Sequence, residues 1–259
     1  MKNRINKLLA SKSKDILSVY FTAGFPALHD TGRIAKALED GGADLIEIGI
    51  PFSDPVADGP VIQESNKVAL DNGMTLKLLL EQARDIRKQV KLPIILMGYI
   101  NPVLQYGVAR FCEDAAAAGV DGVILPDLPL FEYETDYKEL FEQHGLKNIF
   151  LISPTTSEER IRKIDAASDS FIYAVSASST TGASGAFTTE QENYFSRLQN
   201  LKLRNPFLIG FGISNQASFA KACQYGAGAI VGSAFIRLLK IAKDLPKEIA
   251  YFAAELRSK

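Results

Sequence analysis

The chain has 259 residues, of which 47% are hydrophobic and 23% are charged, which is typical of one large globular domain or two small ones. Its formal net charge of −1 gives no electrostatic case for binding nucleic acid or an anionic membrane surface. No apolar run approaches the roughly 20 residues that a membrane-spanning helix needs.

The first predicted element is a short amphipathic helix in residues 1–10, which contain basic residues but no long apolar core or cleavage site of a signal peptide. Cys112 and Cys223 fall in later helices, and neither has a cysteine or histidine at ligand spacing. We expect free, half-buried thiols, which favour a reducing cytoplasm. His29 and His144 are too few for a multi-histidine metal site, argue against a Ser-His-Asp arrangement and are expected at the surface.

Eight short apolar runs follow, each succeeded by a polar loop and then by a helical pattern. The runs are continuous instead of alternating, as expected for strands of a parallel sheet that is buried on both faces. The predicted strands are Ile16–Phe21, Ala43–Gly49, Pro93–Gly98, Gly122–Leu125, Asn148–Ile152, Phe171–Val175, Pro206–Gly210 and Ala229–Gly232.

The segments between these strands have helical periodicity. An additional helical stretch before the third predicted strand enlarges the second β/α unit. Further helices begin the chain and follow the eighth strand. The clearest periodic segments are Thr31–Leu38, Val61–Leu70, Leu76–Val90, Phe111–Ala118, Glu158–Ala167 and Phe235–Lys240.

Eight β/α units in about 250 residues predict an α/β fold, a single (β/α)₈ TIM barrel spanning residues 1–259. We expect an extra N-terminal helix and extra helices after strands two and eight. A doubly wound sheet is the alternative, but it usually has fewer strands and a Gly-rich dinucleotide turn near its start. The first βα turn, residues 22–26, reads Thr-Ala-Gly-Phe-Pro, and no linker divides the chain.

Residues 45–59 are the most informative stretch, because a glutamate within an apolar strand is followed by a Pro- and Gly-containing loop with two aspartates. Side chains alternate along a strand, so Leu45, Glu47 and Gly49 face one way and the isoleucines between them the other. A buried carboxylate costs several kcal/mol unless it is paired, hydrogen-bonded or protonated. Glu47 is therefore a candidate acid or base with a raised pKa. A structural ion pair is the alternative for Glu47 alone, but Asp58 in the following loop favours a functional pair.

Other unusual polar residues fall at the carboxyl ends of the predicted strands, where TIM barrels carry their chemistry. Tyr99 and Asn101 follow strand three, Asp127 follows strand four, and Tyr173 lies in strand six. The Ser-, Thr- and Gly-rich loop of residues 176–187 is typical of a mobile lid, with an ordinary flexible surface loop as the alternative.

Two glycine-containing turns predict a phosphate site. Residues 210–214 read Gly-Phe-Gly-Ile-Ser after strand seven, and residues 232–234 read Gly-Ser-Ala and lead into a helix. Glycines let backbone N–H groups approach a phosphate, and a helix N-terminus favours an anion. Residues 180–182 of the lid are the third expected contributor. The alternative is that these glycines merely turn the chain.

These motifs, residues 45–59, 210–214 and 231–234, resemble the tryptophan synthase alpha chain family, and the likeness covers essentially the whole chain. The resemblance implies a lyase that cleaves indole-3-glycerol phosphate to indole and glyceraldehyde 3-phosphate in tryptophan biosynthesis. It implies no cofactor in this chain and a tryptophan synthase β chain as partner, which holds pyridoxal phosphate. The expected assembly is an alpha2-beta2 tetramer in the cytoplasm.

By the same resemblance, Glu47 is the general acid/base that protonates the indole ring carbon and takes the proton from the glycerol hydroxyl. Asp58 accepts a hydrogen bond from the indole N–H and stays ionised in its loop. Thr181 of the lid meets Asp58 when the lid closes. Tyr173 lies next to the glutamate. The indole slot is assigned to Tyr20, Tyr99, Leu125 and Ile152, and the phosphate contacts to Gly182, Gly212, Gly232 and Ser233.

The resemblance also places the loop Pro51–Gly59 with its Asp54, and Asn101 and Pro102, against the β chain. Two positions depart from the family pattern. The lid begins with Ser179 where a glycine is usual, and Tyr20 replaces a common phenylalanine, so its hydroxyl needs a hydrogen-bond partner.

Three rival functions stay open on the sequence. Another phosphate-binding barrel enzyme, such as a sugar-phosphate isomerase, shares the glycine turns but leaves Glu47 and Asp58 unexplained. A non-catalytic subunit that activates a β chain and a stand-alone indole-releasing lyase are the others. Indole release measured with and without a β chain separates the expected lyase subunit from each of these rivals.

Overall fold

One parallel sheet of nine strand segments forms the centre of the computed structural model, which describes residues 3–176, 187–210 and 212–258. Adjacent segments pair in parallel. The segments are β1 (Ile16–Thr22), β2 (Leu45–Gly49), β3 (Ile94–Met97), β4 (Gly122–Ile124), β5 (Lys147–Asn148), β6 (Leu151–Ile152), β7 (Ile172–Val175), β8 (Phe207–Gly210) and β9 (Gly228–Val231).

The order of the segments in the sheet is β5-β4-β3-β2-β1-β9-β8-β7-β6. The two ends, β5 and β6, are halves of the predicted fifth strand, with Ile149 and Phe150 between them. The Ile149 amide donates to the Val123 carbonyl at 2.9 Å, and the Tyr173 amide donates to the Phe150 carbonyl at 2.9 Å. The fifth strand therefore joins both ends of the sheet, and the predicted eight-stranded barrel is confirmed.

Helices cover the outside of the barrel and include the predicted extra ones. The helix α1 begins the chain, α3 is the additional helix after β2, and α12 and α13 follow β9. The helices are α1 (Arg4–Ser11), α2 (Thr31–Asp40), α3 (Pro60–Asp71), α4 (Leu76–Arg87), α5 (Ile100–Tyr106), α6 (Val108–Ala117), α7 (Leu130–Glu132), α8 (Lys138–Gln143), α9 (Glu158–Ala167), α10 (Thr189–Asn200), α11 (Gln216–Tyr225), α12 (Ser233–Ile241) and α13 (Leu245–Arg257), with a π-helical segment, Tyr133–Tyr137, before α8.

Side chains of the strands alternate between the barrel interior and the layer beneath the helices, as the pleat requires. Ile46 and Ile48 pack in the outer layer, whereas Leu45 packs inside, as predicted. Ile5 of α1 belongs to the interior cluster, so this helix covers the amino-terminal end of the barrel. The interior cluster consists of Ile5, Ile16, Leu45, Ile95, Ile124, Ile149, Phe171, Tyr173, Leu208, Ala227 and Ile230.

The two cysteines are free, as predicted, and lie on α6 and α11. Both are buried in the apolar layer beneath the helices, so the expectation of half-buried thiols was wrong. Burial raises the pKa of each thiol to about 12, which makes both groups poor nucleophiles. Within the described ranges, no helix has the length and apolar character needed to cross a membrane.

Candidate active site

Glu47 lies in the barrel interior, in the middle of β2. The register pairs it with Tyr20 of β1 and with Ile95 of β3, and its side chain is fully buried. The hydroxyl of Ser18 donates a hydrogen bond of 2.6 Å to Oε1 of Glu47. Its other oxygen, Oε2, is buried and has no hydrogen-bond partner among the described residues. One carboxyl oxygen is thus held while the other is left available.

The environment of Glu47 favours its neutral form. Burial raises the pKa of Glu47 from an ordinary 4.5 to about 7, and the hydrogen bond from Ser18 opposes this rise. No lysine or arginine of the described ranges forms an ion pair with it. The raised pKa predicted from the sequence is confirmed, and the alternative of a structural ion pair is not supported. A carboxyl group with this pKa can give or take a proton near neutral pH.

Asp58 lies in the loop between β2 and α3 and is held there by Tyr99. The Tyr99 hydroxyl donates to Oδ2 of Asp58 at 3.2 Å and accepts from the Ala57 amide at 2.9 Å. The Tyr99 ring also packs against Phe52, with ring centroids 5.1 Å apart. These contacts hold the loop against Tyr99, the second residue after β3.

The pKa of Asp58 is also raised, to about 6, because the group is partly desolvated, while the hydrogen bond from Tyr99 lowers it. At neutral pH Asp58 is therefore mainly ionised, whereas Glu47 is divided between its two forms. The pKa of Asp58 is lower than that of Glu47, as the sequence indicated. The loop shields Asp58 from water more than was expected for an exposed carboxylate.

Two buried tyrosines share the space of these carboxyl groups. The pKa of Tyr20 is raised by burial and by the charge of Asp58, and the neighbouring Thr22 side chain opposes the rise. The pKa of Tyr173 is raised by burial and by the charges of Glu47 and Asp58. Both rings therefore lie in the field of the acidic pair.

Glycines on the adjacent, paired strands make room for these rings. A Cβ atom at Gly49 would contact the Tyr20 hydroxyl and lie 2.8 Å from Cζ, and a Cβ atom at Gly210 would overlap Tyr173. Gly49 ends β2 and Gly210 ends β8, so both lie at the carboxyl-terminal end of the barrel. The absence of a side chain at these positions lets aromatic rings fill the mouth of the barrel.

Gly49→Ala is expected to lower the free energy of unfolding by about 1–3 kcal/mol, because the new methyl group overpacks against Tyr20. Urea denaturation of the variant measures this cost. In a Tyr20→Phe background the cost should shrink, since the hydroxyl nearest the new methyl is gone. Gly32→Ala on α2 is the matched control, because its Cβ would make ordinary contact at 3.7 Å. An equal cost of Gly49→Ala in both backgrounds would contradict the assignment of the overlap to Tyr20.

Two of the sequence-predicted slot residues, Leu125 and Ile152, lie in the layer beneath the helices. The register aligns Leu151 with the inward-facing Tyr173, and Ile152 with Ala174 of the outer layer. Because neighbouring strand residues face opposite sides, the interior positions at these two strands are Leu151 and Ile124. Met97 at the end of β3 also packs against the interior cluster. From the sequence these three interior residues were not named, and counting alternation from Glu47 through the strand register would have found them.

The predicted phosphate turns lie at the ends of β8 and β9. Gly232 precedes the first turn of α12, whose first residue is Ser233, and both are partly exposed. Gly212 has a φ of +77°, a conformation that favours glycine. The first N–H groups of a helix have no partner within it, so those of α12 are available to an anion. A Cβ at Gly232 would lie 3.6 Å from the Tyr20 ring, which places this turn beside Tyr20.

Several predicted residues are not part of this geometry. Thr181 and Gly182 of the lid, Ser179 and Phe211 lie outside the described residues. Asp127 is exposed, and its carboxylate accepts a hydrogen bond from the Ile100 amide at 2.9 Å. Asp127 therefore stabilises the first turn of α5.

The comparisons with known proteins agree with one another. The model of the family described as tryptophan synthase alpha chain matches residues 6–258. The tryptophan synthase alpha chain of Flavobacterium psychrophilum is 54% identical over 98% of this chain and 99% of its own. That of Parabacteroides distasonis is 56% identical over 92% and 93%. The crystal structure of tryptophan synthase subunit alpha from Legionella pneumophila str. Paris has a TM-score of 0.89 at 35% identity, covering 99% and 98% of the two chains.

Proposed function

The chain belongs to the tryptophan synthase alpha chain family, and from this premise we propose that it cleaves indole-3-glycerol phosphate to indole and D-glyceraldehyde 3-phosphate. The reaction is a retro-aldol-type lyase step of L-tryptophan biosynthesis. The observation that carries the proposal is the fully buried Glu47, with one oxygen unpartnered among the described residues, whose charge acts on the same two tyrosines as that of Asp58.

Glu47 is the proposed acid and base. Its protonated form donates to the ring carbon of indole that bears the glycerol chain, which makes that carbon a leaving group. The resulting carboxylate takes the proton of the adjacent glycerol hydroxyl as the carbon–carbon bond breaks and the aldehyde forms. A pKa of about 7 lets one group do both in turn.

Asp58 is the proposed partner of the indole N–H. As the ring carbon is protonated, positive charge spreads to the ring nitrogen, and an ionised carboxylate there stabilises it. A pKa of about 6 keeps Asp58 mainly ionised at neutral pH. The hydrogen bond from Tyr99 holds the carboxylate in place before the substrate arrives.

The indole slot is proposed to lie between the aromatic rings at the mouth of the barrel. The sequence assignment of Tyr20, Tyr99 and Tyr173 is kept, with Thr181 as the residue that meets Asp58 when the lid closes. For Leu125 and Ile152 the strand register supports their inward-facing neighbours Ile124 and Leu151 instead.

The phosphate is proposed to bind the backbone of Gly212 and Gly232 and the Ser233 hydroxyl, with Gly182 contributing from the lid. The first N–H groups of α12, which no side chain of the described residues caps, and the partial exposure of Gly232 and Ser233 support this placement.

Gly232→Val is expected to raise the KM about tenfold or more with a small change in kcat, because the phosphate contact exists in ground and transition states alike. The added methyl groups would cover the amides at the start of α12. Gly232→Ala is the control, since its Cβ makes ordinary contact with Tyr20. Steady-state kinetics with indole-3-glycerol phosphate measure both constants, and an unchanged KM with a large fall in kcat would place the phosphate elsewhere.

A tryptophan synthase β chain is the partner that the family implies, and we propose an alpha2-beta2 tetramer in which the β chain holds pyridoxal phosphate and this chain none. The loop Pro51–Gly59 with its Asp54, and Asn101 and Pro102, are proposed to face it. Val56 in that loop is 88% exposed and is therefore accessible to a partner.

We also propose that residues 1–259 act as a single catalytic domain in the cytoplasm. The closed barrel, whose fifth strand joins both ends of the sheet, supports one domain. The two free thiols agree with a reducing compartment.

The test is indole formation from indole-3-glycerol phosphate by the purified chain, alone and with a β chain. Release by the chain alone that rises sharply with the β chain is the expected result. No release under either condition would favour a non-catalytic subunit or another barrel enzyme. Release that does not respond to the β chain would indicate a stand-alone lyase.

A further inference from the structure

Ser18 lies next to Glu47 on the neighbouring strand, with its side chain in the barrel interior. The β1–β2 register places Ser18 opposite Leu45 and Tyr20 opposite Glu47, so Ser18 is the inward-facing position before Tyr20. Its side chain is fully buried, and its Oγ lies 2.6 Å from Oε1 of Glu47. This short distance is typical of a hydroxyl donating to a carboxylate.

The two oxygens of Glu47 are therefore not equivalent. Oε1 has a fixed donor, whereas Oε2 is equally buried and has no partner among the described residues. Buried polar atoms without partners are rare in folded proteins, and such an atom in an interior cleft is a candidate for a functional task. A donor on Oε1 also places the proton of the neutral acid on Oε2.

We propose that Ser18 is a positioning residue for the lyase reaction, which holds Oε1 of Glu47 so that Oε2 alone exchanges protons with the substrate. This inference rests on the proposed function of Glu47. Oε2 gives its proton to the indole ring carbon, and the electrons of the breaking carbon–carbon bond return to the ring. The proton of the glycerol hydroxyl passes to Oε2, which restores the acid. Ser18 keeps its own proton throughout.

The other groups that face Glu47 do not replace this hydrogen bond. Tyr20 of β1 and Tyr173 of β7 interact with its charge, and Asp58 from the loop after β2 acts on the same two tyrosines. None of these groups is a cation. The hydrogen bond from Ser18 is what lowers the pKa of Glu47 against the effect of burial. Removal of the hydroxyl should therefore raise that pKa further.

The test compares Ser18→Ala with the wild type, both as the free chain and during the lyase reaction. In the free chain, ¹³C NMR titration of the Glu47 carboxyl, assigned with Glu47→Gln, should show a pKa higher by about one unit. The alkaline limb of the kcat profile should move to higher pH by a similar amount, because the reaction starts from protonated Glu47. We expect kcat at neutral pH to fall about tenfold with little change in KM, since the carboxyl group is no longer oriented.

Ser18→Thr keeps the hydroxyl and should restore both the titration and kcat. Ser168→Ala is the matched control, because Ser168 is a buried serine whose hydroxyl bonds the Ile164 carbonyl at the end of α9. It should leave both readouts unchanged. If Ser18→Ala does not fold, Ser18→Cys, a weaker donor, should give a smaller shift in the same direction.

A Glu47 titration that is the same in the wild type and in the folded Ser18 variant would overturn the inference. Failure of the proposed function gives a different result. In that case the wild-type chain releases no indole, or Glu47→Gln retains the wild-type turnover, while the titration still reports whether Ser18 bonds Glu47.

Discussion

Glu47→Gln is expected to lower indole release by about 10²–10⁴-fold or more, because the group acts first as acid and then as base. Glutamine keeps the size of the side chain and an oxygen for the Ser18 hydroxyl, but it cannot exchange a proton. Substrate should still bind, so KM should change little. Steady-state turnover together with binding of the substrate to the inactive variant checks both parts.

Glu81→Gln, on the exposed surface of α4, is the matched control and should leave turnover unchanged. A Glu47→Gln variant that retains more than about a tenth of wild-type turnover would exclude Glu47 from the acid–base role.

The stability of Glu47→Gln shows whether a loss of turnover comes from the missing carboxyl group or from a disrupted fold. Glu47 holds its proton up to about pH 7 in the folded chain but only to about 4.5 when unfolded. The folded state therefore binds more protons in this interval, so the wild type loses stability as pH rises from about 4.5 to 7, by on the order of 3 kcal/mol. Glu47→Gln lacks this loss and should gain stability relative to the wild type at pH 8. Urea unfolding of both proteins at pH 4.5 and pH 8 measures the difference.

Asp58→Asn is expected to lower kcat by about 10²–10³-fold, because an amide cannot stabilise the positive charge that develops at the indole nitrogen. The Tyr99 hydroxyl can still donate to the amide oxygen, so the loop should keep its position. KM should rise less than kcat falls, since the charge exists mainly in the transition state.

Asp54→Asn is the control for Asp58→Asn, because Asp54 lies in the same loop, is exposed and accepts from the Ser53 hydroxyl at 2.6 Å. Its effect on the reaction of the chain alone should be small. Equal losses in the two variants would mean that loop order, and not the charge of Asp58, supports turnover.

Much of the barrel could be predicted from local patterns. Strands that are buried on both faces must be apolar throughout, so each of the eight appears as a short apolar run between polar loops. The helix α9, predicted as Glu158–Ala167, has those bounds in the structure. Glu47 could be identified for the same reason, because burying a carboxyl group in such an apolar run is costly and indicates a functional role.

The details of the slot depended on pairings between strands that are distant in sequence. Because adjacent side chains face opposite sides, a shift of one residue moves a position from the interior to the outer layer, and Leu125 and Ile152 lie in that outer layer. The serine at position 18 looked like any small residue in an apolar strand. Only the register of β1 against β2 brings its hydroxyl to Glu47 and distinguishes the two carboxyl oxygens. Local sequence determines which residues are buried, whereas contacts between separate strands decide which of them meet.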